Sequence, residues 1–329
     1  MEKLKKFRGN GLAAKIMNNL ENSLRELHRC GDHRSNKATF IEMGIQLSGF
    51  KHSLSDPAAF TQLLQTARET NASPYVLPQV TFNVKVRQLK HYRIPVYALN
   101  ERGGDQPVVV YLAGGAYIQP ADKAHWQYLN ELARQTGARV YVPIYSLAPQ
   151  HNFRSAYQEL AQLYARLYQL VPASNITLMG DSAGAGLALG FSEYLGQRGL
   201  PQPGHLILIS PWLDLDLTNP VIDHYEQNDV TLSRWGLRKI ADLWAGEASH
   251  RDYRLSPLLG NLDQLRDVYV IVGTKEIMYP DAAKLVKKLK AAGISVHFVI
   301  GRGMFHIYPL YQVPEATQVM RRVVKVVNS

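Results

Sequence analysis

The sequence predicts an α/β protein with a mostly parallel central sheet, helices on both faces and a helical cap. Three observations predict it. From Val108 onward, short continuous apolar runs alternate with amphipathic stretches, as strands buried on both faces and joined by helices should. The stretch Asn175-Ile-Thr-Leu-Met-Gly-Asp-Ser-Ala-Gly-Ala-Gly186 carries a buried strand into a helix through a turn of small residues. The first 75 residues read as helical and precede any strand.

Composition sets the limits. The chain has 329 residues, 46% hydrophobic and 19% charged, the balance of a folded globular protein long enough for one large α/β core. No apolar run reaches the ~18 residues of a membrane span. The start, Met1-Glu-Lys-Leu-Lys-Lys-Phe-Arg8, is charged without a following apolar stretch and does not read as a secretory signal. The single cysteine, Cys30, excludes an internal disulfide framework and a multi-cysteine metal site. A cytoplasmic protein is expected. The net charge is +10, but its clusters, Lys284-Lys287-Lys288-Lys290 and Arg321-Arg322-Lys325, fall on amphipathic helices and read as solvated faces. No nucleic-acid motif accompanies them.

The elements follow in order. Leu12, Ile16, Leu20, Leu24 and Leu27 recur at helical spacing, for a helix docked on the domain or, alternatively, on a membrane. The polar turn His28, Cys30, Asp32, His33 is only a weak set of metal donors. A second helix is expected over 38–47. A third begins at Asp56-Pro57, an N-cap followed by proline at the first helical position. Alternation of Val80, Phe82, Val84 and Val86 with polar residues predicts a half-exposed strand. A second runs over 92–98, with Pro95 pointing to an edge or bulge, and Glu101-Arg-Gly-Gly-Asp105 reads as a hairpin-type turn. Buried strands are expected at 108–112, 140–144, 176–179, 205–210, 268–272 and 295–300. Helices are expected over 121–136, 155–170, from Leu187, over 281–292 and over 316–327. The aromatic-rich stretch from Leu213 to Ser256, helical around 233–244, interrupts this alternation. It is placed near the C-terminal ends of strands, where such sheets bind ligands, and reads as a cover for a site or as a peripheral helix pair.

Gly180-Asp-Ser-Ala-Gly184 fits G-x-S-x-G, a turn that exposes a serine between strand and helix. The rival reading, a dinucleotide loop, needs a third glycine at position 189, which is leucine. A serine hydroxyl is a poor nucleophile until a base takes its proton and a carboxylate orients the base. Both partners should follow the serine, each in a loop after a later strand. Gly273-Thr-Lys-Glu276 and Gly301-Arg-Gly-Met-Phe-His306 occupy those loops. Ser182 is therefore the expected nucleophile, His306 the base and Glu276 the acid. Asp281 is the alternative acid, although a negative residue there can simply cap the next helix. An oxyanion needs backbone N–H donors, expected from Ala183, Gly114 and Gly115. Tyr117, Trp212, Met278, Tyr279, Met304 and Phe305 flank these loops, as pocket lining or as core.

At these residues the chain resembles the hormone-sensitive-lipase-like branch of the α/β-hydrolase fold. The resemblance rests on Ala113-Gly-Gly-Ala116 at that family's H-G-G-G or H-G-G-A position, Tyr145-Ser-Leu-Ala-Pro149 at its Y-R-L-A-P position, and Gly180-Asp-Ser-Ala-Gly184. Ser210-Pro-Trp-Leu-Asp214, Ser256-Pro257, Gly273-Thr-Lys-Glu276 and Gly303-Met-Phe-His306 follow in the same order. It implies a helical N-terminal cap segment over 1–75, a catalytic domain over 76–329 and a cap insertion at about 214–255. It also implies a carboxylic ester hydrolase with a capped pocket, short acyl substrates, and no metal or cofactor. Three positions depart from the pattern. Ala113 stands where the family has a histidine that helps hold the oxyanion loop, Ser146 replaces an arginine, and Glu276 replaces the commoner aspartate. The expected partner is a small-molecule ester, with no nucleic acid and no stable membrane insertion, for a monomer or homodimer. The alternatives are a non-catalytic binding protein on this fold, a membrane-surface lipase, and amide cleavage by the same groups.

Overall fold

The computed structural model describes residues 34–329. The helix expected between Leu12 and Leu27 and the turn holding His28, Cys30, Asp32 and His33 lie outside the described residues.

Among the described residues three helices come first: α1 (Asn36–Ser48), α2 (Phe50–Ser53) and α3 (Pro57–Ala72). Ser35 caps α1 through the Ala38 N–H, and Asp56 caps α3 through the Ala59 N–H, the cap read from Asp56-Pro57.

A sheet of eight strands follows: β1 (Val86–Leu89), β2 (Val96–Leu99), β3 (Val108–Leu112), β4 (Arg139–Pro143), β5 (Ile176–Asp181), β6 (His205–Ile209), β7 (Asp267–Gly273) and β8 (Ser295–Gly301). Their order is β1-β2-β4-β3-β5-β6-β7-β8. β1 and β2 pair antiparallel, as do β2 and β4, and the remaining pairs are parallel. The helices between the strands are α4 (Lys123–Thr136), α5 (Phe153–Leu170), α6 (Ser182–Gln197), α7 (Ile222–Glu226), α8 (Arg234–Ala245) and α9 (Tyr279–Ala291), and α10 (Pro314–Val327) follows β8. Residues of α5, α6 and α9 join the core on one face, and those of α4 and α10 join the core on the other. This is the sandwich of helix, sheet and helix that continuous apolar strands require.

The antiparallel edge departs from the expectations. Val80, Phe82 and Val84 pack on the core but pair with no strand, so the alternation marks a docked extended segment and β1 begins only at Val86. Pro95 lies just outside β2, an interior strand, so its missing N–H removes nothing from the ladder. Glu101 to Asp105 is no hairpin. It leads from β2 to β3, and β4 lies between those two strands. Helix α6 starts at Ser182, earlier than the expected Leu187, because the turn and the first helical residue coincide.

The segment between β6 and β7 contains α7 and α8. It packs against the N-terminal helices. The Gly236 N–H donates to the Leu54 carbonyl at 2.9 Å, Lys51 Nζ donates to the Glu226 carbonyl at 2.6 Å, and Phe60 meets Trp235 edge-on at 5.3 Å. Among the described residues no helix is long and apolar enough to cross a membrane.

Candidate active site

The parallel strands place their C-terminal ends together, and the loops leaving β3, β5, β6, β7 and β8 meet there. Ser182 stands at the β5–α6 junction with φ 52°, a left-handed conformation in a non-glycine residue. The crowding around it explains the small residues. A Cβ at Gly184 would lie 2.1 Å from the Leu112 carbonyl oxygen, so β3 and α6 touch backbone to backbone.

His306 reaches this serine from the loop after β8. Its Nε2 is 2.9 Å from Ser182 Oγ, and its Nδ1 is 2.6 Å from Glu276 Oε2 in the loop after β7. Glu276 is fully buried, yet both its oxygens are engaged. Oε1 accepts from Ser210 Oγ at 2.7 Å and from the Gly273 N–H at 2.6 Å. Ser210 Oγ in turn accepts the Ile307 N–H at 3.0 Å, which ties the histidine loop to the end of β6. Burial raises the Glu276 pKa, while His306 and these donors pull it back only in part. For His306 burial acts downward, and the charge and hydrogen bond of Glu276, with Asp229 and Asp181, raise the pKa beyond that. The carboxylate hydrogen-bonded to His306 is therefore Glu276. Asp281 lies at the first turn of α9 and accepts from Asn219 Nδ2 at 2.9 Å.

The loop after β3 departs from the expected donor set. The Gly114 N–H points to Asp181 Oδ1 at 2.9 Å, because that carboxylate is buried directly beneath the loop. A donor already directed to Asp181 is not turned toward an oxyanion over Ser182. Gly115 with φ 125° and Ala116 with φ 52° turn the chain back over the site, and among the described residues their N–H groups meet no protein acceptor. The N–H of Ala183 belongs to the first turn of α6, which has no intrahelical acceptor.

The support that position 113 lacks comes from elsewhere. Tyr145 OH donates to the Ala113 carbonyl at 2.6 Å. Asp181 also accepts from Tyr111 OH at 2.8 Å and faces His125 Nε2 at 3.3 Å. The Gly115 carbonyl accepts from Ile118 and Gln119. Tyr117 is stacked on Trp244 of α8 with ring centroids 4.3 Å apart and on Trp212 at 5.5 Å. Ser146, another departure, donates Oγ to Glu159 Oε1 at 2.5 Å.

The flanking residues divide. Tyr117, Trp212 and Met278 belong to the core cluster on the α6 side of the sheet, and Tyr279 packs half-buried against it. Trp212 Nε1 donates to the Asp214 carbonyl at 2.9 Å. Tyr279 stacks on Tyr225 at 5.4 Å. Met304 and Phe305 are buried in the opposite cluster with α4 and α10, so they are core behind the histidine loop. Asp181, Tyr145 and Ser210 were unread parts of motifs already noticed in the sequence. His125 and Asp229 carried no sequence signal, since only packing brings them to the site.

Known proteins resemble this chain in sequence and in fold. The family described as alpha/beta hydrolase fold matches residues 109–310. The chain is 30% identical over 250 residues to an esterase of Acinetobacter venetianus, covering 75% of this chain and 82% of that protein. It is 31% identical over 208 residues to an acetyl-hydrolase of Streptomyces hygroscopicus, covering 63% and 70%. Among solved structures, a Staphylococcus aureus protein described as a candidate esterase superposes with TM-score 0.80 at 26% identity, over 83% of this chain and 94% of that one. An esterase of the bacterial hormone-sensitive lipase family superposes with TM-score 0.72 at 26% identity, over 82% and 96%.

Proposed function

This chain belongs to the α/β-hydrolase fold family, in its hormone-sensitive-lipase-like esterase branch, and on that premise we propose that it hydrolyses short-chain carboxylic esters with Ser182, His306 and Glu276 as its catalytic triad. One observation carries the reading: the unbroken hydrogen-bonded series from Ser182 Oγ to His306 to Glu276, at 2.9 and 2.6 Å.

The chemistry follows from the proton positions. His306 Nε2 takes the Ser182 proton as Oγ attacks the ester carbonyl. Glu276 holds the imidazole through Nδ1 and stabilises the imidazolium that forms. The negative oxygen of the tetrahedral intermediate is met by the N–H groups of Gly115, Ala116 and Ala183, with Gly114 holding the loop through Asp181. The C–O bond to the alcohol breaks, and the alkoxide leaves with the proton from His306. Water then gives a proton to His306 and its oxygen to the acyl carbon, which frees the acid and restores Ser182. A short acyl group is supported by the relative named an acetyl-hydrolase.

The test is hydrolysis of p-nitrophenyl acetate, butyrate and longer esters by the full chain and by Ser182→Ala. The expected result is a rate that falls with acyl length and, in the variant, a loss of at least about 10³-fold. A variant as active as the parent would remove Ser182 from its role.

A further inference from the structure

Asp229 lies between α7 and α8, in the segment that joins β6 to β7, and is only 2% exposed. Its Oδ1 accepts the Thr231 and Leu232 N–H groups at 2.8 and 2.9 Å, an ordinary turn that leads toward α8. Its Oδ2 does something else. It accepts the Ile277 N–H at 2.9 Å, from a residue 48 positions along the chain and next after Glu276. The turn is already served by Oδ1, so the second oxygen fixes the peptide that adjoins the acid. The backbone carbonyl of Asp229 is itself gripped by Lys51 Nζ from the N-terminal helices. On the other flank of Glu276, Lys275 Nζ pairs with Glu42 of α1 at 2.8 Å, and the Lys275 N–H donates to the Met304 carbonyl at 3.0 Å. Both neighbours of the acid are therefore held by elements outside the sheet.

We propose that Asp229 is a positioning residue of the triad, which locks the acid loop through Ile277 and presents a second negative charge to His306. The proposal rests on the triad reading above. Its consequence is that Glu276 meets His306 correctly only when the segment carrying α7 and α8 is seated on the N-terminal helices. The negative charges that raise the His306 pKa come from three elements: Glu276 from the loop after β7, which it also hydrogen-bonds, Asp229 from the β6–β7 segment and Asp181 from the elbow. On Asp229 itself act the charge of His306 and, at its carbonyl, the Lys51 ammonium. Negative charge near the imidazole favours its protonated form. The base must be neutral to take the serine proton, so a raised His306 pKa places the acidic limb of the rate profile at higher pH.

Two variants separate position from charge. Asp229→Asn keeps the shape and one acceptor oxygen but removes the charge. Asp229→Glu keeps the charge and displaces the oxygen by one methylene. kcat and KM for p-nitrophenyl acetate are measured across pH, with circular dichroism confirming the fold. For Asp229→Asn the expected result is a kcat about tenfold lower, a KM changed less than about twofold, and an acidic limb of kcat/KM moved to lower pH. Asp229→Glu should lower kcat with the limb unmoved. An acidic limb that stays in place in Asp229→Asn overturns the proposal, whatever happens to kcat, because a merely structural carboxylate would give that result. Labelling of wild-type Ser182 by an organophosphonate separates the two readings. Without labelling the triad reading itself fails, whereas labelling with an unmoved limb removes Asp229 alone.

Discussion

Asp181 is the least visible member of the elbow motif and one of the most connected residues of the site. Its buried carboxylate takes the Gly114 N–H, the Tyr111 hydroxyl and His125. His125 also faces Asp122 Oδ1 at 2.7 Å. Burial pulls the His125 pKa down, but the charges and hydrogen bonds of Asp181 and Asp122 outweigh it and leave it raised to about 10. Its folded pKa thus lies above the unfolded value of about 6.5. The stability it contributes is fully present below that value and is lost as pH rises through about 10. Denaturant midpoints of the wild type should therefore fall between pH 7 and pH 10. His125→Gln should be less stable at pH 7 by about 1.5–3 kcal/mol, the range for a hydrogen bond to a charged group. The two curves should converge toward pH 10, and a constant gap across that range contradicts the assignment of the charge to His125.

At the scale of elements, the elbow works because β3, β5 and α6 pass each other without side chains. Gly184→Ala would drive a methyl to 2.1 Å from the Leu112 carbonyl oxygen, and backbone on both sides leaves nothing that can rotate away. Overpacking of this kind costs about 1–3 kcal/mol, and here the upper end is expected. A thermal melt of Gly184→Ala should show a lower Tm, and the loop that follows Leu112, the proposed oxyanion loop, should move with β3 and lower kcat. An unchanged melt with full activity would mean that β3 and α6 are farther apart than described. The Gly114 N–H also belongs at this scale. Spacing gave Gly114 and Gly115 equal claims as oxyanion donors, and the approach of β5 beneath the loop directs one of them inward to Asp181.

For the whole molecule, the candidate catalytic loops lie beside the two parts of the proposed cover, which are distant in sequence. The N-terminal helices and the segment carrying α7 and α8 meet where the Gly236 N–H donates to the Leu54 carbonyl, and a Cβ at Gly236 would fall 2.5 Å from that oxygen. Gly236→Ala should therefore push α8 off α2 and loosen the stack of Tyr117 on Trp244. The expected outcome is a kcat/KM several-fold lower, with faster proteolysis between 214 and 255 and a sheet core that melts nearly as before. Equal proteolysis and equal kcat/KM would show that the two parts of the cover do not depend on each other.

The sequence by itself determined the architecture, and it singled out Ser182, Glu276 and His306, which the structure brings into one hydrogen-bonded series. Apolar runs such as Val108 to Leu112 and His205 to Ser210 marked the buried strands, since strands covered on both faces admit little polar character. The order of Ser182, Glu276 and His306 along the chain placed each in a loop at one end of the sheet, because parallel strands put alternate loops on the same edge. The antiparallel edge was less legible. Val80 to Val84 alternate like a strand, yet half-burial gives a docked extended segment the same pattern without any pairing. Only the tertiary structure decided which N–H of Ala113-Gly-Gly-Ala116 faces outward, and how the loop is held without a histidine at 113. Tyr145, Asp181, His125 and Trp244 supply that support from four separate elements. A hydrogen bond or a ring stack depends on distance in space, and no local pattern of residues encodes the distance between elements that only packing brings together.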